Sequence, residues 1–137
     1  MDNAWLAATS RVPLGTLALM QGRREVARGL LDEGLELSLA AYSTQLVTLS
    51  LAAFARLAFA EGNPERAALL AAAAEGLRRR VGVWVWPSHR RPEADLMAQL
   101  CQALGTARFD QVFAAGARLT RREAVAAASD RHAAGAS

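Results

Sequence analysis

The feature that most constrains the fold of this chain is a repeat of two stretches that lie forty residues apart. The first, LGTLALMQGRREVARGLL, begins at Leu14, and the second, FARLAFAEGNPERAALLA, begins at Phe54. Each has apolar residues at helical spacing on both sides of a glycine, which indicates two helices joined by a tight turn. Because one hairpin cannot bury its apolar face alone, a repeat of this period predicts stacked α-hairpins. The matching positions are Leu17 and Leu57, Ala18 and Ala58, Gly22 and Gly62, Glu25 and Glu65, Ala27 and Ala67, and Leu30 and Leu70.

Turn residues divide the chain into about seven helices. Gly62 ends one helix, Asn63 caps the next, and Pro64 takes its first position. Thr120 and Glu123 match a capping box, in which each side chain bonds the backbone N–H of the other residue. We therefore predict an all-α fold of stacked antiparallel α-hairpins.

Three residues are expected to break helices. Pro13 should interrupt the first helix, the fifth helix should begin only after Pro92, and Gly116 should close the sixth. The short stretch VGVWVW has no partner strand and is expected to be an extended loop. The predicted organisation is two hairpins with an N-terminal helix in residues 1–82, a Trp- and Pro-bearing connector in 83–92, C-terminal helices of the same domain in 93–129, and a disordered tail in 130–137.

The composition indicates where the protein is located more clearly than which reaction or ligand it serves. The net charge is only +3 and no lysine is present, so the charge balance alone does not require an anionic partner. One cysteine excludes an internal disulfide and suits a reducing compartment. The apolar run from Tyr42 to Ala60 contains Arg56 and Gln45, which favours a buried helix over a membrane span. We expect a cytoplasmic protein without membrane contact.

The repeat resembles the tetratricopeptide pattern. In the first unit, small residues at Ala18, Ala27 and Gly34 occupy the positions where helices approach closely. Ala58, Ala67 and Ala74 occupy the same positions in the second unit. The period is about six residues longer than the usual tetratricopeptide period, and two customary aromatic residues are missing. The resemblance therefore implies longer hairpins than the standard ones.

A wider resemblance covers most of residues 14–128. The segments GNPERAALLAAAAEGLRRRVG and ARFDQVFAAGARLTRREAVAAA look like the C-terminal helical region of LuxR-type and AfsR-type regulatory ATPases, related in layout to the MalT class. The resemblance implies a signalling module in transcription regulation that biases a nucleotide-binding module through protein or effector contacts. No phosphate-binding loop is present, and without lysine none can be completed, so no ATPase activity is carried over and no cofactor is expected.

LTRRE, from Leu119 to Glu123, also resembles the opening of a LuxR-type DNA-binding module. A helix-turn-helix needs two further helices, including the recognition helix. The alternative is a capped last helix of the repeat, since the capping box accounts for Thr120 and Glu123 by itself.

A stack of hairpins presents a concave surface formed by the first helix of each hairpin. The resemblance places Thr9 and Val12 on this surface, together with a candidate partner-binding face of Thr16, Leu19, Leu49, Ala52, Arg56 and Phe59. Arg56 lies in an otherwise apolar helix, and a charge in that setting requires a partner. The partner is either an internal carboxylate or a second protein. An uncapped end of the stack could also produce a homodimer.

Two other classes of function are weaker. Cys101 with His89 could form a nucleophile pair, but Cys101 lies on an apolar stripe where cysteine is usually a core residue. No spacing of histidines, cysteine and carboxylates predicts a metal site, and we expect no enzyme. The alternative function is a basic helical domain that binds nucleic acid through clusters of arginine at 23–24, 78–80, 90–91 and 121–122.

The connector carries Trp84 and Trp86, which point the same way if the segment is extended. Three roles are open for these side chains. They could cover the seam between the repeats and the C-terminal helices, contact a partner protein, or bind nucleic acid or a ligand.

Overall fold

The repeat folds as two helical hairpins, and three more helices follow it. The computed structural model describes residues 4–82 and 87–129 of the chain. Seven α-helices lie in these residues, and the predicted all-α stack of antiparallel hairpins is confirmed. The helices are α1 (Ala4–Met20), α2 (Arg24–Ala40), α3 (Thr44–Ala60), α4 (Pro64–Val81), α5 (Pro87–Leu104), α6 (Thr106–Ala117) and α7 (Arg121–Ser129).

The first four helices follow a spacing of twenty residues, half of the predicted repeat. They begin at residues 4, 24, 44 and 64, and a short turn separates each helix from the next. The backbone turns through a positive φ at the same place in each unit, with φ values of 77° at Gly22, 55° at Tyr42, 82° at Gly62 and 75° at Gly82. Glycine adopts this conformation without steric cost, whereas tyrosine does not.

The predicted caps are present. The Asn63 side chain accepts a hydrogen bond from the backbone N–H of Arg66 at 3.1 Å. Thr120 and Glu123 form the capping box with reciprocal bonds of 2.9 and 3.1 Å. These bonds satisfy backbone donors that the first turn of a helix leaves without partners. The predicted tail 130–137 lies outside the described residues.

Helix α4 is at the centre of the stack. It packs against α3 within its hairpin and also contacts α5, α6 and α7, while α2 packs against α3 and joins the two hairpins. The core is formed mainly by small residues and leucines of α3 and α4. Its fully buried members include Leu31, Val47, Leu51, Ala55, Ala67, Ala68, Leu70 and Leu100.

Glycine permits very close contact between α4 and α6. A Cβ atom on Gly76 would overlap the backbone carbonyl of Ala117, and one on Gly116 would overlap the carbonyl of Leu69. Gly116 is thus a buried contact residue in the last turn of α6, and the helix ends one residue after it, at Ala117. The same principle applies within the first hairpin, where a Cβ on Gly34 would lie 2.8 Å from a methyl carbon of Val12.

Neither proline breaks a helix as predicted. Helix α1 continues through Pro13, so residues 4–20 form one helix rather than two, and α5 begins at Pro87 and continues through Pro92. A proline inside a helix removes one backbone donor and leaves the carbonyl four residues earlier without its bond. Both Pro13 and Pro92 lie on exposed faces, so water can reach that region of the backbone. Pro87 takes the first position of α5, where its missing N–H costs nothing.

Arginine side chains hold the ends of helices in place. Arg24 donates to the carbonyl of Ala60 at 3.0 Å, which ties α2 to the end of α3. Arg66 donates to the carbonyls of Ala127 and Ala128, both at 2.9 Å, at the end of α7. Arg80 likewise donates to Ala117 and Leu119 at 2.9 and 2.5 Å, at the end of α6. The last carbonyls of a helix lack partners and carry partial negative charge, so a guanidinium satisfies them well.

Ion pairs supplement these bonds on the surface. Arg108 at the start of α6 pairs with Glu65 at the start of α4, at 2.7 Å. The hydrogen bond from Arg108 is the main cause of a lowered pKa at the Glu65 carboxyl. The Arg28 guanidinium pairs with Glu61 across the α2–α3 contact.

We predict that Gly76→Ala and Gly116→Ala each lower the free energy of unfolding by about 2–3 kcal/mol, because overpacking against backbone cannot be relieved by a change of rotamer. Gly29→Ala is the matched control. It is also a helix-interior glycine, but nothing lies within 4 Å of its added Cβ. It should raise stability by about 0.5–1 kcal/mol. Urea denaturation of the three variants measures this contrast, and equal effects at positions 29 and 76 would contradict it.

We predict that Tyr42→Gly stabilises the chain by about 1 kcal/mol, because a non-glycine residue with a left-handed backbone costs about that much. The tyrosine is 87% exposed, so little packing is lost with its side chain. Gly62→Ala is the reverse change at the equivalent turn and should destabilise by a similar amount. Thermal melts of the two variants suffice, and a destabilised Tyr42→Gly protein would show that the side chain makes a contribution absent from this account.

Candidate partner-binding groove

A groove of about 450 Å³ lies between the first helices of the three hairpin-like units, α1, α3 and α5. Two sets of residues related by the forty-residue repeat form most of its walls. From α1 and α3 these are Thr9 and Leu49, Val12 and Ala52, Pro13 and Ala53, and Thr16 and Arg56. The groove is therefore a direct product of the repeat, since equivalent positions on stacked helices face the same side.

The walls of the groove are mostly apolar. Their hydroxyl groups are already bonded within α1, where Thr9 donates to the carbonyl of Leu6 at 2.7 Å and Thr16 to that of Val12 at 3.1 Å. Leu17, Met20 and Leu46 add further apolar surface. An occupant of the groove therefore does not have to form hydrogen bonds with these hydroxyls. A ligand would be selected by its shape and its charge.

Arg56 supplies charge to the groove. Its side chain is half-buried, and it forms no hydrogen bond or ion pair with any residue that the structure describes. The internal carboxylate that the sequence left open as its partner is therefore not found in this part of the chain. A guanidinium that is partly removed from water gains most from a carboxylate that accepts two parallel bonds.

Glu93, on the α5 side, is the acidic residue of the groove, but it already has a partner. Its two oxygens accept bonds of 2.7 and 3.0 Å from Arg78 of α4. The two bonds make this a bidentate pair. Because Arg78 is only 5% exposed, the pair lies at the edge of the core. Glu93 is therefore the partner of a buried arginine and not a solvated surface carboxylate. One feature of the sequence indicates that Arg78 is buried. It follows Ala74 by four residues and so continues the buried stripe of α4.

The structure gathers only part of the predicted face. Thr16, Leu49, Ala52 and Arg56 line the groove. Leu19 and Phe59 instead pack, partly buried, against the hydrophobic core. Trp84 and Trp86 lie outside the described residues, so their three predicted roles stay open.

Of the pair considered for catalysis, Cys101 and His89, only the side chain of Cys101 lies in the described part of the chain. Cys101 is half-buried rather than a core residue, and its Sγ lies 4.0 Å from the hydroxyl of Thr106. No group of three metal-binding side chains comes together among the described residues. The side chains of His89 and His132 are outside them.

The arginine clusters are partly occupied by contacts within the chain, and the cluster 78–80 is occupied throughout. Arg78 pairs with Glu93, Arg79 with Glu75 at 3.0 Å, and Arg80 with carbonyls at the end of α6. Arg24 is bonded to the end of α3. These contacts account for arginines that the sequence alone left available for phosphate.

Comparisons with known proteins do not assign this chain to a family. No family model matches the chain, and neither the curated proteins nor the solved structures contain a significant match. Among the described helices, none combines the length and the apolar character that a membrane span requires. What the site can do is therefore argued from its own residues.

We predict that Glu93→Ala lowers the free energy of unfolding by about 3 kcal/mol, because it leaves the buried Arg78 guanidinium without its carboxylate. Glu75→Ala is the control, since it removes the partner of Arg79, whose side chain is 73% exposed, and should cost less than about 1 kcal/mol. Chemical denaturation of both variants provides the comparison. A double variant, Arg78→Met with Glu93→Ala, should recover part of the loss, and no recovery would contradict the buried-pair explanation.

Proposed function

We propose that this chain is a non-enzymatic protein-interaction module whose groove binds a segment of a partner protein. The observation that carries the proposal is the half-buried guanidinium of Arg56 in an apolar groove, without a partner among the described residues. The segment that fits presents a carboxylate to Arg56 and apolar side chains to the walls. A groove of 450 Å³ is within the usual range for binding sites, and it accommodates a few side chains rather than a whole helix.

The resemblance to helical regions of regulatory ATPases suggests which protein supplies the segment. In such a regulator the partner is a nucleotide-binding module, and the helical array biases that module between two states. Binding can do this only if the groove prefers one state of the partner, because a ligand shifts an equilibrium by its difference in affinity. The groove would then act as a sensor that responds to exposure of an acidic segment.

We predict that peptides selected for binding from a random displayed library are enriched in Asp or Glu next to apolar residues. Arg56→Ala should weaken the selected peptides by about 10- to 100-fold, since a charge-assisted hydrogen bond contributes about 1.5–3 kcal/mol. The matched control is Arg122→Ala, which removes an exposed arginine of α7 far along the chain from the groove. The affinities of this control variant for the selected peptides should be unchanged, as measured by fluorescence anisotropy.

Two results would count against the proposal. One is a set of selected peptides without acidic residues. The other is binding that Arg56→Ala and Arg122→Ala weaken equally, which would indicate attraction to the net positive charge of the protein rather than to the groove.

A further inference from the structure

Helix α1 carries a stripe of exposed residues with the spacing of a helix-pairing seam. Leu6, Ser10, Pro13, Leu17 and Met20 follow one another at intervals of four, three, four and three residues. These intervals place all five on one face, as in the apolar seam of a two-stranded coiled coil. The exposed fractions are 59% for Leu6, 48% for Leu17 and 79% for Met20, and Leu14 beside the seam is 46% exposed.

The repeat shows what such positions do elsewhere in the same molecule. Forty residues later, the equivalents of the first four seam residues are Leu46, Ser50, Ala53 and Leu57 of α3. All four are buried, with exposed fractions of 2%, 0%, 5% and 1%. Helix α2 packs on α3 on this side, where the hydroxyl of Ser38 lies 3.4 Å from that of Ser50. The seam is thus a helix-contact surface in the second unit and an open surface in the first.

The open seam carries no charge. Arg11 is the only charged residue of α1, and it points away from the seam to pair with Glu33 of α2 at 2.5 Å. The hydroxyl of Ser10 is turned back onto the carbonyl of Leu6 at 3.4 Å. The buried residues of α1 lie on the opposite face from the seam, and they are Ala8, Val12, Gly15 and Ala18.

We propose that a second copy of this chain covers the seam, so that two α1 helices pair across a two-fold axis. A two-fold axis places the same surface on both sides of the interface. Charged surfaces would repel each other in such an arrangement, but the residues of this seam are uncharged. The small Ser10 and Pro13 occupy the middle of the seam, with Leu6 and Leu17 on either side. An antiparallel pair therefore sets Leu6 of one copy against Leu17 of the other. The seam shares Pro13, Leu17 and Met20 with the wall of the groove, so a second copy seated on the seam also covers that edge of the groove.

The size of the seam sets the strength of the dimer. A helix of 17 residues is about 25 Å long, so the pair would bury on the order of 1,000 Å² in total. This area is at the lower end for specific interfaces, so we expect a reversible dimer with a dissociation constant in the micromolar range.

The first experiment is sedimentation velocity of the full chain from about 1 to about 200 µM, a range that brackets a micromolar dimer. The weight-average mass should rise towards that of a dimer. Leu6→Glu should leave a monomer at every concentration, because two carboxylates would meet an apolar surface. Leu6 does not line the groove, and its exposure means that the variant should keep the circular dichroism and melting temperature of the parent. Val81→Glu, at a residue 52% exposed on α4, is the matched control and should still dimerise.

The second experiment locates the interface. In a Cys101→Ser background, Ser10→Cys should give a disulfide-linked dimer on mild oxidation. In this register Ser10 lies only about 2 Å along the helix from the two-fold axis, which brings it within disulfide reach of its own copy. Val81→Cys in the same background should not. A chain that is monomeric throughout the range overturns the proposal and leaves the seam to a helix of another protein or polypeptide segment. A dimer that survives Leu6→Glu, or equal cross-linking at positions 10 and 81, also overturns it.

Discussion

Close packing around α4 is the constraint on which the rest of the structure depends. One helix can contact four others only if its side chains are short on most sides, and α4 meets this condition with Ala67, Ala68, Ala71 to Ala74 and Gly76. The approach of α6 needs glycine on both helices, since Gly76 and Gly116 each face backbone of the other helix. The positions of α5, α6 and α7, and with them the α5 side of the groove, follow from this central packing.

Sequence predicted the parts of the fold that depend on local chemistry. The cap at Asn63 and the capping box at Thr120 and Glu123 depend on neighbours within one turn, and both were confirmed. The forty-residue repeat predicts the two hairpins because it repeats one local pattern along the chain, and these hairpins are present. Pro13 and Gly116 were misread because their effect depends on the tertiary setting. Pro13 faces solvent and is therefore tolerated inside α1. Gly116 faces α4, and the close contact there requires a glycine. Tyr42 gave no signal, because nothing in a tyrosine indicates that a turn will hold it at positive φ.

The candidate groove shows the same division. Thr16 and Arg56 were placed on one surface because they occupy equivalent repeat positions, and the groove brings them together. Glu93 was missed as a groove residue because its place depends on a long-range pair with Arg78, which spacing on α4 hinted at but could not complete. Phe59 was assigned to the surface, yet a large aromatic side chain gains more from packing on the core than from standing in a groove.

The arginine–carbonyl bonds at the helix ends have a consequence for the conditions this molecule can withstand. Ion pairs weaken as ionic strength rises, and Arg108–Glu65 is also lost in strong acid, once the Glu65 carboxyl is protonated below its lowered pKa. The carbonyl acceptors opposite Arg66 and Arg80 are neutral and do not titrate, so acid does not remove them. The ends of α6 and α7 would therefore stay attached to α4 in acid and in concentrated salt, where a stack joined by carboxylates alone would loosen.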